Sequence, residues 1–345
     1  MRIGMVSKFL PEKDGIARFS ENLCKELSKN HEVIKIGDAK SESADYKINF
    51  KSFRLKALLQ RIIEKEKLDL LHIQYIASYF GRHTLNLNLL QALSQKIPVV
   101  STMHEVHYSY EGYNFLRKSV LNFLEKEVVR NSDAVIAHTP QQKRFLEKKY
   151  KAENVVFIHL GLELFEFHKR KGRNLLFFGK ISRMKGLELL IRAMKMLPEF
   201  RLKIVGSFID KKYEKQIRKM LVNTENISGR FGWVSDEERW RHFKNADVAV
   251  FPYLKIQNQS GALNDAVSAG IPVVVTKSGA LGETVEHFRF GESVERNPKA
   301  IADGVRKVMK NYGSYKKGLV DYRKEANWKA VAERHTELYK KLTKG

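Results

Sequence analysis

The chain alternates between two hydrophobic periods. Short apolar runs at 2–7 (RIGMVS), 32–37 (EVIKIG), 68–74 (LDLLHIQ), 97–104 (IPVVSTMH) and 133–139 (DAVIAHT) predict strands. Between the first two, IARFSENLCKELSKN sets Ile16, Phe19, Leu23 and Leu27 at helical spacing, and the segments 53–67, 84–96 and 115–131 read as further helices. Over residues 160–173 glycine and five basic residues, His168 included, interrupt the pattern. It then restarts with strands at 174–180, 200–206, 227–234 and 247–253 and helices at 186–197, 211–222 and 236–246, followed by a helix at 262–270 and the strand IPVV. A last amphipathic helix, ANWKAVAERHTELYKKL, turns Trp328, Val331, Leu338 and Leu342 to one side for core packing.

Strands alternating with helices predict parallel sheets covered on both faces. Two such runs predict two doubly wound, Rossmann-like α/β domains. Ligands of such sheets bind beyond the carboxyl ends of the strands, so a ligand is expected in a cleft between the domains.

Length agrees with two domains, since 345 residues exceed what one core ordinarily organises. The N-terminus becomes charged too early for a signal peptide, and no apolar run is long enough for a membrane span, so a cytoplasmic location is expected, with peripheral contact at the inner membrane face. The single cysteine, Cys24, falls on the apolar side of its helix and reads as core filler.

Charge adds a partner class. Lys and Arg outnumber Asp and Glu by 63 to 39, a net charge of +24, which favours anionic partners such as nucleic acid, acidic lipid or phosphorylated small molecules. The excess is shared, +8 over residues 1–153 and +16 over 154–345, with no concentrated basic arm; nucleic acid is the weaker reading.

Two loops carry candidate chemistry. FFGKISRMKGLELL gathers Gly179, Lys180, Arg183 and Lys185 at the end of a strand and ahead of a helix, where point charges and free amides suit phosphate; the alternative is a solvated basic loop. In QNQSGALNDAVSAGIPVV, residues 257–274, Asn258, Gln259, Ser260 and Gly261 lead into a helix whose amides can bind phosphate oxygens, and the small Ser260 and Gly261 permit close approach. Asp265 reads either as an acceptor for two ribose hydroxyls or as an acid complementing the helix dipole, worth ~0.3–1 kcal/mol.

These segments, with DGIARF, PVVSTMHEVH, DAVIAHT, IHLGLELFEF and GALGETVE, resemble in order and spacing the retaining glycosyltransferases of family 4, and the likeness runs over nearly the whole chain. The resemblance implies a GT-B fold: an N-terminal Rossmann-like acceptor domain at 1–163, a C-terminal Rossmann-like nucleotide-sugar donor domain at 164–322 facing it across a cleft, and a helix at 323–345 crossing back to the first. It implies transfer of a hexose-type sugar from a nucleoside diphosphate sugar to a glycan or lipid-linked acceptor. Lys180 and Lys185 would hold the diphosphate with Arg183 sharing the task, Asp265 the ribose, and amides near Ser260 and Gly261 the phosphates and sugar. Gly206, Trp233 and Val234 would border the base, the loop at Gly15 and Ile16 would approach the donor, and His104 would lie near the sugar hydroxyls or the reacting centre.

Departures from the family pattern bear on mechanism. A glutamate of the family is Gln257 here, and a second is the shorter Asp265, so no mechanism can rest on a nucleophile at 257; Gln257 is expected to bind a sugar hydroxyl. His104 and His107 lack the His-Glu-x-x-His spacing and the chain contains no Asp-x-Asp, so metal-independent transfer without a cofactor is expected. Alternatives are a nucleotide-sugar epimerase or phosphorylase of the same fold, a catalytically degenerate sugar-nucleotide binder, and a nucleic-acid-binding protein. The basic aromatic segment HYSYEGYNFLRKS, with the net charge, suggests an acceptor at an anionic membrane surface.

Overall fold

The structure, a computed structural model, describes residues 1–12, 15–80, 87–107, 115–165, 172–222, 224–254 and 260–344. Two compact units divide the chain: unit 1 holds Met1–Gly161 with Trp328–Gly345, and unit 2 holds Leu162–Asn327. The return to unit 1 therefore falls between Asn327 and Trp328, not between 322 and 323. The reason is local: residues 316–326 form a helix of unit 2 that buries Leu319, Tyr322 and Ala326 in that unit's core.

Unit 1 runs β1 (Arg2–Val6), α1 (Gly15–Leu27), β2 (Glu32–Gly37), β3 (Tyr46–Lys47), α2 (Leu55–Glu66), β4 (Leu70–Tyr75), α3 (Leu87–Leu93), β5 (Val99–Met103), α4 (Phe115–Asn131), β6 (Ala134–Ala137), α5 (Pro140–Tyr150) and β7 (Val155–Phe157). Unit 2 runs β8 (Asn174–Phe178), α6 (Leu187–Met194), β9 (Arg201–Gly206), α7 (Lys211–Leu221), β10 (Ile227–Phe231), α8 (Asp236–Lys244), β11 (Val248–Phe251), α9 (Gly261–Ser268), β12 (Val273–Thr276), α10 (Ala280–Phe288), β13 (Gly291–Val294), α11 (Pro298–Lys310) and α12 (Lys316–Ala326). The last helix, α13 (Trp328–Thr343), belongs to unit 1.

Among the described residues every strand pairing is parallel. The sheets run β3-β2-β1-β4-β5-β6-β7 and β10-β9-β8-β11-β12-β13. Each order reverses once, between β1 and β4 and between β8 and β11, and at such switch points the loops beyond the strands diverge and leave room for a ligand.

In unit 1 strand alternation sorts side chains between two cores. Ile3 and Met5, Leu70, Val100, Ala134 and Ile136 pack with Phe19, Leu23 and Cys24 of α1 and with Val331, Ala332 and Tyr339 of α13. Val6, Leu71, Ile73, Met103 and Val135 pack on the opposite face with Leu59 of α2 and Leu124 and Val128 of α4. The α1/α13 face is apolar near the amino ends of the strands and polar near their carboxyl ends, where His72, Gln74, Thr102 and His138 are buried. No helix among the described residues is long and apolar enough to cross a membrane.

Candidate active site

Unit 2 builds its site on the ends of β8, β9 and β10. Gly179, Gly206 and Gly232 follow or close these strands with φ of 125°, 146° and 120°, values that side chains rarely adopt. A Cβ on Gly206 would stand 1.8 Å from the Gly179 carbonyl oxygen, whereas one on Gly179 would meet nothing within 4 Å. Glycine thus lets the strand ends close on one another and leaves the space above Gly179 open. Backbone bonds tie the row, Gly179 N to Val205 O at 3.0 Å and Gly232 N to Gly206 O at 2.9 Å.

The chain next makes a 3₁₀ turn, Arg183–Lys185, closed by Gly186 in the left-handed region at φ 63°. A Cβ on Gly186 would lie 2.0 Å from the Pro252 carbonyl oxygen, and Leu254 N donates to Met184 O at 2.9 Å. The basic turn is thereby pinned to the loop after β11, across the switch point. Lys185 is half-buried with Nζ 3.6 Å from the centre of the Tyr253 ring, and the Arg183 guanidinium lies 4.9 Å from that of Tyr213. Lys180 is exposed. None of the three pairs with a carboxylate among the described residues, so their charge remains available to an anion.

The loop after β11 is anchored from below. Thr276 Oγ1 donates to the Tyr253 carbonyl at 2.5 Å, and Arg296 Nη1 to the Leu254 carbonyl at 2.8 Å. Tyr253 Oη and Ser260 Oγ are 3.3 Å apart, and Ser260 caps α9 by accepting from Leu263 N at 3.4 Å. Gly261 opens α9 with nothing within 4 Å of a would-be Cβ. Lys185, Tyr253, Ser260 and Gly261 therefore stand together; Gln257, Asn258 and Gln259 lie outside the described residues.

Asp265 sits one turn into α9, and its Oδ1 accepts from Arg239 Nη1 at 2.9 Å. Arg239 is buried, lies 4.4 Å from the centre of the Trp240 ring and approaches Asp236 at 3.5 Å. Both sequence readings of Asp265 omit this partner. The pairing spans 26 residues between two helices, and only the fold brings it together. Trp233 is exposed on the loop after β10 with its carbonyl 3.3 Å from Arg230 Nη2, and Val234 packs against the core.

In unit 1, Gly15 and Ile16 open α1, and a Cβ on Gly15 would meet nothing within 4 Å. His104 follows β5, half-buried, with Nε2 2.7 Å from Gln74 Oε1 and its ring 5.1 Å from those of Phe19 and His138. Burial, reinforced by His138, holds its pKa well below the usual histidine value, so the ring is neutral. His107 turns elsewhere: its Nδ1 donates to the buried Glu125 at 2.5 Å. Burial works to raise the Glu125 pKa, but the bonds from His107, Lys149 and Tyr150 outweigh it and hold the carboxylate ionised. The described residues contain no cluster of three His, Cys, Asp or Glu that could hold a metal.

The fold is that of the GT-B glycosyltransferase structures. Along 99% of its length it superposes on 100% of the Anabaena protein Alr3699/HepE, solved with UDP-glucose, with a TM-score of 0.78 at 14% identity. The sequence matches the family "Glycosyltransferase Family 4" over residues 13–164 and "Glycosyl transferases group 1" over residues 163–327. The chain belongs to glycosyltransferase family 4. It is 31% identical over 175 residues to an uncharacterised glycosyltransferase of Methanocaldococcus jannaschii, covering 48% of this chain and 44% of that one. It is 28% identical over 194 residues to the D-inositol 3-phosphate glycosyltransferase of Pseudarthrobacter chlorophenolicus, covering 50% and 46%. The matches thus span less than half the length of these relatives.

Proposed function

We propose that the protein transfers a hexose-type sugar, with retained anomeric configuration, from a nucleoside diphosphate sugar to a glycan or lipid-linked acceptor. The observation that carries this reading is the set of cations Lys180, Arg183 and Lys185, paired with no carboxylate among the described residues, at the β8/β11 switch point beside the open backbone at Gly179. As the bond from the anomeric carbon to the diphosphate breaks, negative charge grows on the leaving oxygen, and fixed cations stabilise it without reorganising. The acceptor oxygen attacks from the face the diphosphate leaves, and its proton passes to a diphosphate oxygen. Such a step needs no nucleophilic side chain, so a neutral Gln257 is compatible with it. Asp265, held by Arg239, receives the ribose hydroxyls on this reading.

The donor is expected to be UDP-glucose or a close analogue, given what the Anabaena protein was solved with. In a thermal-shift panel of UDP-, GDP- and ADP-sugars with and without EDTA, one UDP-sugar at about 100 times its Kd should add ~2.7 kcal/mol of stability, unchanged by the chelator. A response to no nucleotide sugar in the panel would sink the reading.

For the acceptor side we propose contact with an anionic membrane. Phe115, Leu116 and Phe123 are exposed on α4, and helical spacing sets Lys126 and Arg130 on the same side, opposite the buried Leu121, Leu124 and Val128. Apolar side chains flanked by cations on one face suit the interface of acidic lipid. The rest of the aromatic segment, residues 108–114, lies outside the described residues. The protein should co-sediment with phosphatidylglycerol vesicles at about 0.15 M salt, near the physiological screening regime, and Phe115→Ser with Leu116→Ser should release it; equal sedimentation of the double variant would refute this face.

A further inference from the structure

His104 is the outer end of a chain of buried polar groups. Its Nε2 lies 2.7 Å from Gln74 Oε1. The Gln74 amide nitrogen lies 3.2 Å from Met5 Sδ and 3.3 Å from His72 Nε2. His72 Nε2 is in turn 2.7 Å from Thr102 Oγ1, and His72 Nδ1 is 2.6 Å from the Tyr339 hydroxyl on α13. Gln74, His72, Thr102 and Tyr339 are all fully buried, so these groups have no water to fall back on.

The sense of the outer bond is set by chemistry. A glutamine carbonyl oxygen only accepts, so His104 must carry its proton on Nε2. A neutral imidazole has one N–H, which leaves Nδ1 as a bare acceptor. The opposite amide orientation would turn N–H groups toward His104 and require the other tautomer. It would also set an amide oxygen against the Met5 sulfur, which accepts but cannot donate.

We propose that Gln74 is a positioning residue that fixes His104 as the Nε2–H tautomer, so that His104 meets its substrate only as a hydrogen-bond acceptor, through Nδ1, for a sugar hydroxyl. No described residue takes up Nδ1, and the ring stands beside α1, whose Phe19 meets it edge-on at 5.1 Å. The role of the hydroxyl rests on the proposed sugar transfer; the tautomer does not. An acceptor at this place rewards a sugar that keeps the matching hydroxyl and penalises its deoxy analogue, because truncation leaves the nitrogen unpaired.

The tautomer can be read in the protein without substrate. In ¹⁵N-histidine-labelled full-length protein, two-bond imidazole correlations at pH 7.5 should give His104, assigned by its loss in His104→Gln, as Nε2–H alone. In Gln74→Met, of similar length but without an amide, Nδ1–H signals should appear for His104 and for no other histidine. The donor KM should rise and kcat/KM fall about tenfold, the scale of one lost neutral hydrogen bond. In Gln74→Glu, which keeps the accepting oxygen, His104 should retain Nε2–H. Should Gln74→Met fail to fold, the wild type and Gln74→Glu still decide. An Nδ1–H or doubly protonated His104 in the wild type would overturn the proposal, as would an unchanged tautomer in Gln74→Met or loss of Nε2–H in Gln74→Glu. Failure of the sugar-transfer reading would show separately, as no turnover by the wild type with any donor.

Discussion

Lys185→Ala should weaken nucleoside diphosphate binding roughly a hundredfold, while Lys180→Ala weakens it no more than about tenfold. The two lysines belong to one loop and carry one charge each, but their surroundings differ. Lys180 is exposed, and its attraction to a phosphate is weakened by the high dielectric of the surrounding water and by salt. Lys185 is half-buried against the face of Tyr253 in a turn pinned by Gly186 to the next loop. Its ammonium is thus pre-positioned and partly dehydrated. Truncating one partner of a buried charge pair costs about 2–5 kcal/mol, and for this half-buried ammonium the low end applies, a hundredfold corresponding to ~2.7 kcal/mol. Calorimetric titration of UDP into both variants checks this, with melting curves to establish that each is folded. Equal losses for the two lysines would place the diphosphate elsewhere.

Acid should unfold unit 1 before unit 2. His72, His104, His138 and His335 all have pKa values below the usual 6.5, with burial the largest cause in each and mutual repulsion adding for the first three. His138 and His335 fall to about 4, although each gains a backbone bond that works the other way, Nδ1 to the Ile158 and Val331 carbonyls. Below pH 6.5 the unfolded chain therefore binds protons that the folded chain refuses. Their contribution to stability is complete above 6.5 and declines as pH falls, through about 4 for His138 and His335. For His138 and His335, brought from 6.5 to about 4, that is roughly 1 kcal/mol apiece between pH 7 and 5.5, and His72 and His104 act in the same direction. Every buried histidine among the described residues lies in unit 1. Of the three tryptophans, Trp328 belongs to unit 1 and Trp233 and Trp240 to unit 2. Urea titrations at pH 7.5 and 5.5, followed through Trp328 in a Trp233→Phe, Trp240→Phe background, should show a lowered midpoint at the acid pH. His335→Leu should flatten the dependence. Equal midpoints at both pH values would refute the linkage.

The α/β alternation was legible because each strand–helix pair is encoded within about thirty residues. Several elements were not. α5 opens with Thr139 accepting from Gln142 N and with Pro140 at its first turn, a start signal that the apolar pattern alone passes over. β13, Gly291–Val294, is four partly buried residues including Glu292, with too little hydrophobicity to register as a strand. Besides its apolar stripe the last helix buries His335 and Tyr339, polar side chains that a hydrophobic count assigns to the surface.

The candidate site divides the same way. Gly179, Arg183, Lys185, Ser260 and Gly261 were readable because strand, loop and helix are neighbours in sequence. Gly232 carries the same signal, since it ends the third strand as Gly179 and Gly206 serve the first two. Tyr253 carried another, an aromatic just past a strand at the switch point. Arg239 and Gln74 carried none: their partners lie 26 and 30 residues away on separate elements, and no local period encodes such a pairing.

One consequence concerns synthesis. The hydroxyl that His72 meets belongs to Tyr339, 267 residues downstream, and all of unit 2 is encoded between them. As the chain leaves the ribosome, unit 2 has its whole sequence in hand while unit 1 still lacks α13, and the sheet face that buries Val331 and Tyr339 stands open. The inserted unit can close first, and the unit begun first closes last.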